Sequence, residues 1–374
     1  MSKVIISCFP GKYVQGPGVL DQISQYSNKN FKRMVLLGDA VVLRIVKERI
    51  ISSLQRDGKE CVVVEFCGES TEAAINNVKE MAVSFGADCI IGAGGGKTFD
   101  TARGAAYYLG GMPVIIVPTI ASTDAPVSSL VGVYSDDHTH LYGIQTGKNP
   151  DLVLVDTEVI LKAPIRFLIA GMGDALSTKF EAEAVFQKKA LNVHHGSPTQ
   201  ASIAIADLSF RLIIEHGRAA LDDVLAGKLT DNVEKIVEAN ILLSGVGFEN
   251  GGLAAAHGLH FGLTVLPEMA TIPHGEKVAF TTLVQLKMEE MKGKRDGSAF
   301  NELVEFYKST GLPLTLAQLG IDGSEEEVMD KLKKVAVKAC VKNSNIHNMP
   351  FNVDENFVCE AIMETDRKGR ENSK

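Results

Sequence analysis

Five short apolar runs punctuate the first 160 residues: Met34 to Leu37, Cys61 to Phe66, Cys89 to Ala93, Val114 to Val117 and Leu152 to Val155. They are strand-sized and rich in β-branched residues, and they alternate with segments of helical period. That alternation predicts parallel strands joined by crossover helices. Between the second and third runs, Ile75, Val78, Met81, Ala82 and Phe85 form one stripe behind Ser70 or Thr71 as N-cap, a good crossover helix. After about Ala163-Pro164 the strand-like runs stop and long helical periods follow, for example Ile203 to Ala219 and Asn232 to Leu243. The expectation is an α/β N-terminal domain with a parallel sheet over 1–160 and an all-α C-terminal domain over 161–374, with the active-site cleft between them. The polar terminus from Asp366 to Lys374 reads as a solvated tail.

Lys and Arg number 38 against 46 Asp and Glu, a net charge of −8, which argues against a nucleic-acid footprint or an anionic-membrane anchor and favours a small-molecule partner. The six cysteines are scattered without a CxxC pair and read as reduced, mostly buried thiols. Lys3 and the short run Val4 to Phe9 before Pro10-Gly11 are too little for a signal peptide, so a cytoplasmic protein is expected. Two apolar stretches do not read as membrane spans. Gly104 to Thr123 is broken by Gly110-Gly111, Pro113 and Pro118, and Asn250 to Pro267, with two histidines, reads as buried helix.

Ile90-Ile91-Gly92-Ala93-Gly94-Gly95-Gly96-Lys97-Thr98 lies where a strand ends and a helix begins, the place where backbone approaches phosphate and helix N–H groups attract anions. Neither the Walker A pattern nor G-x-G-x-x-G fits it, since Ile91 and Lys97 occupy positions that each requires to be glycine. An ordinary tight turn needs fewer glycines than these three in succession, so a pyrophosphate cradle is favoured, which makes the first domain a nucleotide-binding one. Asp39, after Gly38 at the end of the first run, is either a solvated loop residue or an acceptor for ribose hydroxyls that favours NAD over its 2′-phosphorylated form.

Among nine histidines, His138, His140, His194, His195 and His216 lie in polar or irregular contexts that suit a surface role. His257 and His260 differ: they sit three apart in an apolar, small-residue segment, and His274 follows in Ile272-Pro273-His274-Gly275-Glu276. Buried imidazole needs a hydrogen bond or a metal. Asp174, in Ala170-Gly171-Met172-Gly173-Asp174, reads either as a helix N-cap or as a ligand. One Asp and two His make an oxygen/nitrogen set that suits Zn²⁺ with positions left for substrate.

Several segments in order resemble the metal-dependent polyol dehydrogenases related to the iron-containing alcohol dehydrogenases, and most closely those that oxidise glycerol. They are Pro10 to Gly16, Gly94 to Ala102, Pro118 to Pro126, Ala170 to Thr178, His274 to Phe280 and Ile346 to Phe351. The resemblance covers nearly the whole chain. It implies a metal held by Asp174, His257 and His274, and NAD contacts from Asp39, Gly96, Lys97, Thr119, Ser122, Ser128, Leu130 and Tyr134. It also implies Asp124 beside the polyol. Our own expectation is that Asp124 orients the diol or begins a proton path and that His260 lies behind the ligands. Thr178 stands where iron-dependent relatives carry a further metal-binding His, which favours Zn²⁺ over Fe²⁺. The expected activity is NAD-dependent oxidation of glycerol and related 1,2-diols to the hydroxyketone by a cytoplasmic homo-oligomer, an octamer by resemblance.

Leu141 to Lys148 departs from the family's more aromatic segment, and Gln145 and Lys148 are candidate donors to a carboxylate. The alternative is therefore a reductase of short 2-oxo acids on the same scaffold. A lyase like dehydroquinate synthase fits less well, because Gly251 to Pro273 holds no Lys or Arg to grip a phosphate.

Overall fold

The computed structural model describes residues 4–136 and 139–373; His138 lies outside them. The strands are β1 (Tyr13–Gly16), β2 (Arg33–Gly38), β3 (Glu60–Glu65), β4 (Cys89–Gly94), β5 (Val114–Pro118), β6 (Leu130–Tyr134), β7 (His140–Gln145) and β8 (Leu152–Asp156). Six of them form one sheet in the order β1-β8-β5-β4-β2-β3, every pairing parallel. All five predicted runs are strands of that sheet. The helices of this half are α1 (Ile23–Tyr26), α2 (Ala40–Arg56), α3 (Glu72–Phe85), α4 (Gly96–Tyr108) and α5 (Thr157–Leu161).

The sheet is buried on both faces, as parallel sheets are. Val35, Leu37, Ile90, Ile116, Val153 and Val155 point to one core, shared with Ile75, Val78 and Ala82 of α3 and Phe99 and Ala102 of α4. Their neighbours Met34, Leu36, Ile91, Ile115, Val117 and Leu154 point to the other, against Val46, Ile50 and Leu54 of α2. Each such side chain contributes about 1.5–3 kcal/mol when fully buried. Thr71 is the N-cap of α3, accepting from the Ala74 amide at 3.1 Å.

β6 and β7 form a separate antiparallel hairpin, which no apolar run announces because β7 is largely exposed. The remainder is helical: α6 (Ile165–Lys188), α7 (Gln200–Leu225), α8 (Asp231–Glu238), α9 (Ser244–Gly251), α10 (Ala255–Leu263), α11 (His274–Met291), α12 (Ser298–Thr310), α13 (Glu325–Ala339) and α14 (Glu355–Asn372). A π-helical turn, Ala239–Leu243, runs from α8 into α9. No described helix is long and apolar enough to cross a membrane.

Four expectations are corrected. The polar end is no tail: Asp366 is buried in α14, where its carboxylate accepts from the Leu316 amide at 2.7 Å. Asn250 to Pro267 is not one helix, since Gly252 (φ 95°) ends α9 before α10 begins. The cysteines are unpaired, but only Cys89 is fully buried. His194 and His216 keep only 11% and 16% of their side chains exposed; His216 meets Asn232, and His194 faces Glu249.

Candidate active site

Asp174 is not an N-cap. It lies inside α6 with Thr178 and Glu181 one and two turns further along the same face, and all three are fully buried. Glycines bring the partner helix to it: a Cβ on Gly173 would lie 2.5 Å from the Gly275 carbonyl oxygen, and one on Gly275 would lie 1.8 Å from that of Ala170. This backbone contact sets His274, the first residue of α11, beside Asp174. Its Nε2 is 3.0 Å from Asp174 Oδ1, and His257 Nε2, from α10, is 3.6 Å from the same oxygen.

One ligand atom from each of Asp174, His257 and His274 lies within 4.8 Å of the others, and this is the group among the described residues with the spacing to hold a metal ion. The donors suit a divalent cation. Burial opposes charge on Asp174, yet the imidazoles of His274 and His257 hold its carboxyl well below the usual range. Burial and the Asp174 charge push the Asp124 carboxyl well up. Three buried acidic groups, Asp124, Asp174 and Glu181, crowd the imidazoles of His257 and His274, and a divalent ion held among them would favour the charged form of all three.

The surrounding contacts are specific. Glu181 accepts from His257 Nδ1 at 2.6 Å and from the backbone amides of Ala254 and His257. His260 Nε2 is 3.1 Å from His274 Nδ1, and burial and the neighbouring His274 push its pKa well down. The Asp124 amide donates to Asp174 Oδ2 at 3.2 Å, and Ser244 donates to Asp124 Oδ2 at 2.7 Å. Thr178 Oγ1 lies 2.8 Å from Ser244 Oγ, which extends the chain Thr178–Ser244–Asp124.

The expected cofactor residues lie at the carboxyl ends of the strands. The helix after β2 leads to β3 on one side, whereas the helix after β4 leads to β5 on the other, so the switch point lies between β2 and β4. Nucleotides bind at such a crevice in open α/β sheets. Asp39 follows β2 and caps α2, its Oδ1 accepting from the Val41 and Val42 amides at 2.8 and 2.9 Å. Gly96 and Lys97 open α4, and a Cβ on Gly96 would meet nothing within 4 Å. Thr119 follows β5, its amide bonded to the Gly94 carbonyl. Ser122, Asp124 and Ser128 lie on the loop from β5 to β6, and Leu130 and Tyr134 bound β6. The Lys97 amine pairs with the buried Glu69 carboxylate.

Two expected donors are engaged elsewhere. Gln145 Nε2 donates to the Val193 carbonyl at 2.6 Å, and Lys148 pairs with Asp151 at 2.8 Å. Glu181, Ser244 and Glu249 were not picked out by sequence reasoning. Only the i, i+7 spacing of Asp174 and Glu181 offered a signal.

The iron-containing alcohol dehydrogenase family matches residues 10–157. The glycerol dehydrogenase of Thermotoga maritima is 42% identical over 371 residues, covering 98% of each chain. The glycolaldehyde reductase of Halobacterium salinarum is 41% identical over 361 residues, covering 96% of this chain and 97% of that protein. The crystal structure of glycerol dehydrogenase from Schizosaccharomyces pombe superposes with a TM-score of 0.92 at 34% identity, covering 100% of this chain and 93% of that one. Family membership carries a nicotinamide cofactor, a divalent metal and small-molecule substrates. The chain therefore belongs to the iron-containing alcohol dehydrogenase family and is an alcohol dehydrogenase-type oxidoreductase.

Proposed function

We propose that the protein oxidises glycerol and related 1,2-diols to the hydroxyketone, transferring hydride from the substrate carbon to NAD. The observation that carries this reading is the convergence of Asp174, His257 and His274 beside Asp124, next to a nucleotide-type crevice. The metal in this reading is zinc, because Thr178 has no ligating nitrogen and its hydroxyl is bonded to Ser244. Bound there, a divalent metal supplies a Lewis acid that lowers the pKa of a ligated hydroxyl, as it lowers that of water from ~15.7 to about 7.

The chain's own residues do the rest. Ser244 holds Asp124 Oδ2, which leaves Oδ1 to accept from one hydroxyl of the diol. The Thr178–Ser244 hydroxyl pair holds Asp124 in place, and in this reading the Asp124 carboxyl begins the path for the proton that leaves the substrate. Glu181 and His260 hold the two imidazoles in orientation from behind. On the cofactor side, the Lys97 amine is paired with Glu69, so the backbone amides of Gly96 and Lys97 at the α4 N-terminus are the donors offered to pyrophosphate. Asp39, Thr119, Ser122, Ser128, Leu130 and Tyr134 complete the NAD site in this reading.

The 2-oxo-acid alternative loses its support, because Gln145 and Lys148 are both committed to partners. We place the domain division near residue 160, the protein in the cytoplasm, and its assembly as a ring-like homo-oligomer, an octamer. Assay of diols, hydroxyketones and 2-oxo acids with NAD(H) tests the function: glycerol and propane-1,2-diol should be the best substrates. Vigorous 2-oxo-acid reduction with negligible glycerol oxidation would overturn it.

A further inference from the structure

The loop that brings Ser128 and Leu130 to the crevice is held from two sides. From the sheet side, Arg103 of α4 donates to the Ala125 carbonyl at 2.7 Å and to that of Ser128, and Asp100 accepts from the Gly132 amide at 3.1 Å. From the helical side the contacts come from one helical run. Asn240 donates to the Ala121 carbonyl at 3.0 Å, and a Cβ on Gly245 would lie 2.1 Å from Val127 Cγ2. Glu249 Oε1 accepts from the Ser129 amide and hydroxyl, both at 2.6 Å, and from the Ser128 hydroxyl at 3.2 Å.

The π turn explains why these residues share a face. Its i→i+5 bond, from the Ser244 amide to the Ala239 carbonyl, places Gly245 one turn beyond Asn240, and Glu249 follows one α-turn later. In an unbroken α-helix Asn240 and Gly245 would point apart.

Glu249 is fully buried, and burial opposes its charge, yet the bonds from Ser129 and the neighbouring His194 hold its carboxyl below the usual range. Its second oxygen accepts from Asn149, whose Nδ2 also donates to the Val127 carbonyl at 2.9 Å. Ser128 Oγ in turn accepts from the Leu130 amide at 2.9 Å. One carboxylate thus gathers Ser128, Ser129 and Asn149 onto the helix immediately before α10, which carries His257.

We infer that Glu249 is a positioning residue for the nicotinamide cofactor, fixing the Ser128–Leu130 loop to the helical run that leads to the metal ligands. This rests on the proposed NAD site and adds to it a residue on the opposite half of the molecule that sets cofactor affinity without touching cofactor.

The test uses the metal-loaded enzyme and two readouts, NAD binding by isothermal titration calorimetry and steady-state glycerol oxidation. Glu249→Gln keeps an oxygen for Ser129 but turns an NH₂ toward the Asn149 amide. Asn149 cannot flip without losing its bond to Val127. Because a loosened loop must be ordered again on binding, Kd and KM for NAD should rise about tenfold. Metal content, KM for glycerol and kcat at saturating NAD should stay within about twofold. Ser129→Ala should raise Kd for NAD by less, about threefold, and add little in the Glu249→Gln background, as expected for residues acting through one contact.

Unchanged NAD affinity in folded Glu249→Gln overturns the inference, as does an equal fall in kcat and metal content. Should that variant not fold, Ser129→Ala decides alone, and unchanged affinity there overturns it. Wild-type enzyme that binds no NAD removes the functional reading and this inference together, whereas normal wild-type binding with unaffected variants removes the inference only.

Discussion

Glu181 Oε2 lies 2.6 Å from His257 Nδ1, 76 residues away in sequence. Because a carboxylate only accepts, His257 must carry a proton on Nδ1, which makes Nε2, facing Asp174, the nitrogen available to a metal. The same carboxylate accepts from the Ala254 and His257 amides, so the first turn of α10 and the imidazole are fixed by one group.

Metal removal follows from this arrangement. Chelation should abolish turnover and Zn²⁺ should restore it. Glu181→Gln should lower metal affinity by about 10- to 100-fold, the usual effect of losing such an outer partner. Competition with a chromogenic chelator measures the affinity. His257→Ala with full activity and full zinc content would exclude the site.

Asp39 joins two roles that one substitution can separate. Its Oδ1 caps α2, and in the proposed NAD site its charge would repel a 2′-phosphate. Asn caps as well as Asp, so Asp39→Asn should keep the melting temperature while narrowing the preference for NAD over NADP. Asp39→Ala should also lose about 1 kcal/mol of stability. The ratio of kcat/KM for the two cofactors is the readout, and equal values in the wild type would rule the role out.

Asp366→Ala tests the corrected C-terminus. The carboxylate accepts from the buried Leu316 amide and pairs with Arg370 at 2.6 Å. Removing it leaves that amide unsatisfied, which costs about 1–3 kcal/mol. Chemical denaturation should register that loss, whereas a solvated tail would register none.

What could be read from the sequence was whatever depends on local pattern. The strands at Met34, Cys89 and Val114 are apolar enough to be recognised alone, and His257 with His260 stand out because imidazole is rare in so apolar a helix. Asp174 was ambiguous, since an N-cap and a buried ligand share the same small-residue context. Glu181 and Glu249 stayed hidden because their partners are remote: Glu249 meets Ser129 across 120 residues. Asp366 misled for a related reason, as its partner amide lies 50 residues upstream. β7 escaped because its side chains are mostly in water.

Substrate choice is the remaining consequence of the site's geometry. Asp124 is bonded through its amide to Asp174 and through Oδ2 to Ser244, so its position relative to the ligand set is fixed from two sides. A vicinal diol can place one hydroxyl at the ligand set and the other on Asp124, whereas propan-1-ol leaves Asp124 Oδ1 without a partner. Sites built to bond a hydroxyl reject analogues lacking it by about 10⁴–10⁵ at best. Glycerol and propane-1,2-diol should therefore exceed propan-1-ol in kcat/KM by orders of magnitude. A 2-oxo acid would bring its carboxylate to the buried Asp124, with Lys148 already paired to Asp151. Asp124→Asn, which keeps the bond to Asp174 through the backbone, should cut diol oxidation more than any oxo-acid reduction. Comparable kcat/KM for glycerol and propan-1-ol in the wild type would show that Asp124 does not read the second hydroxyl.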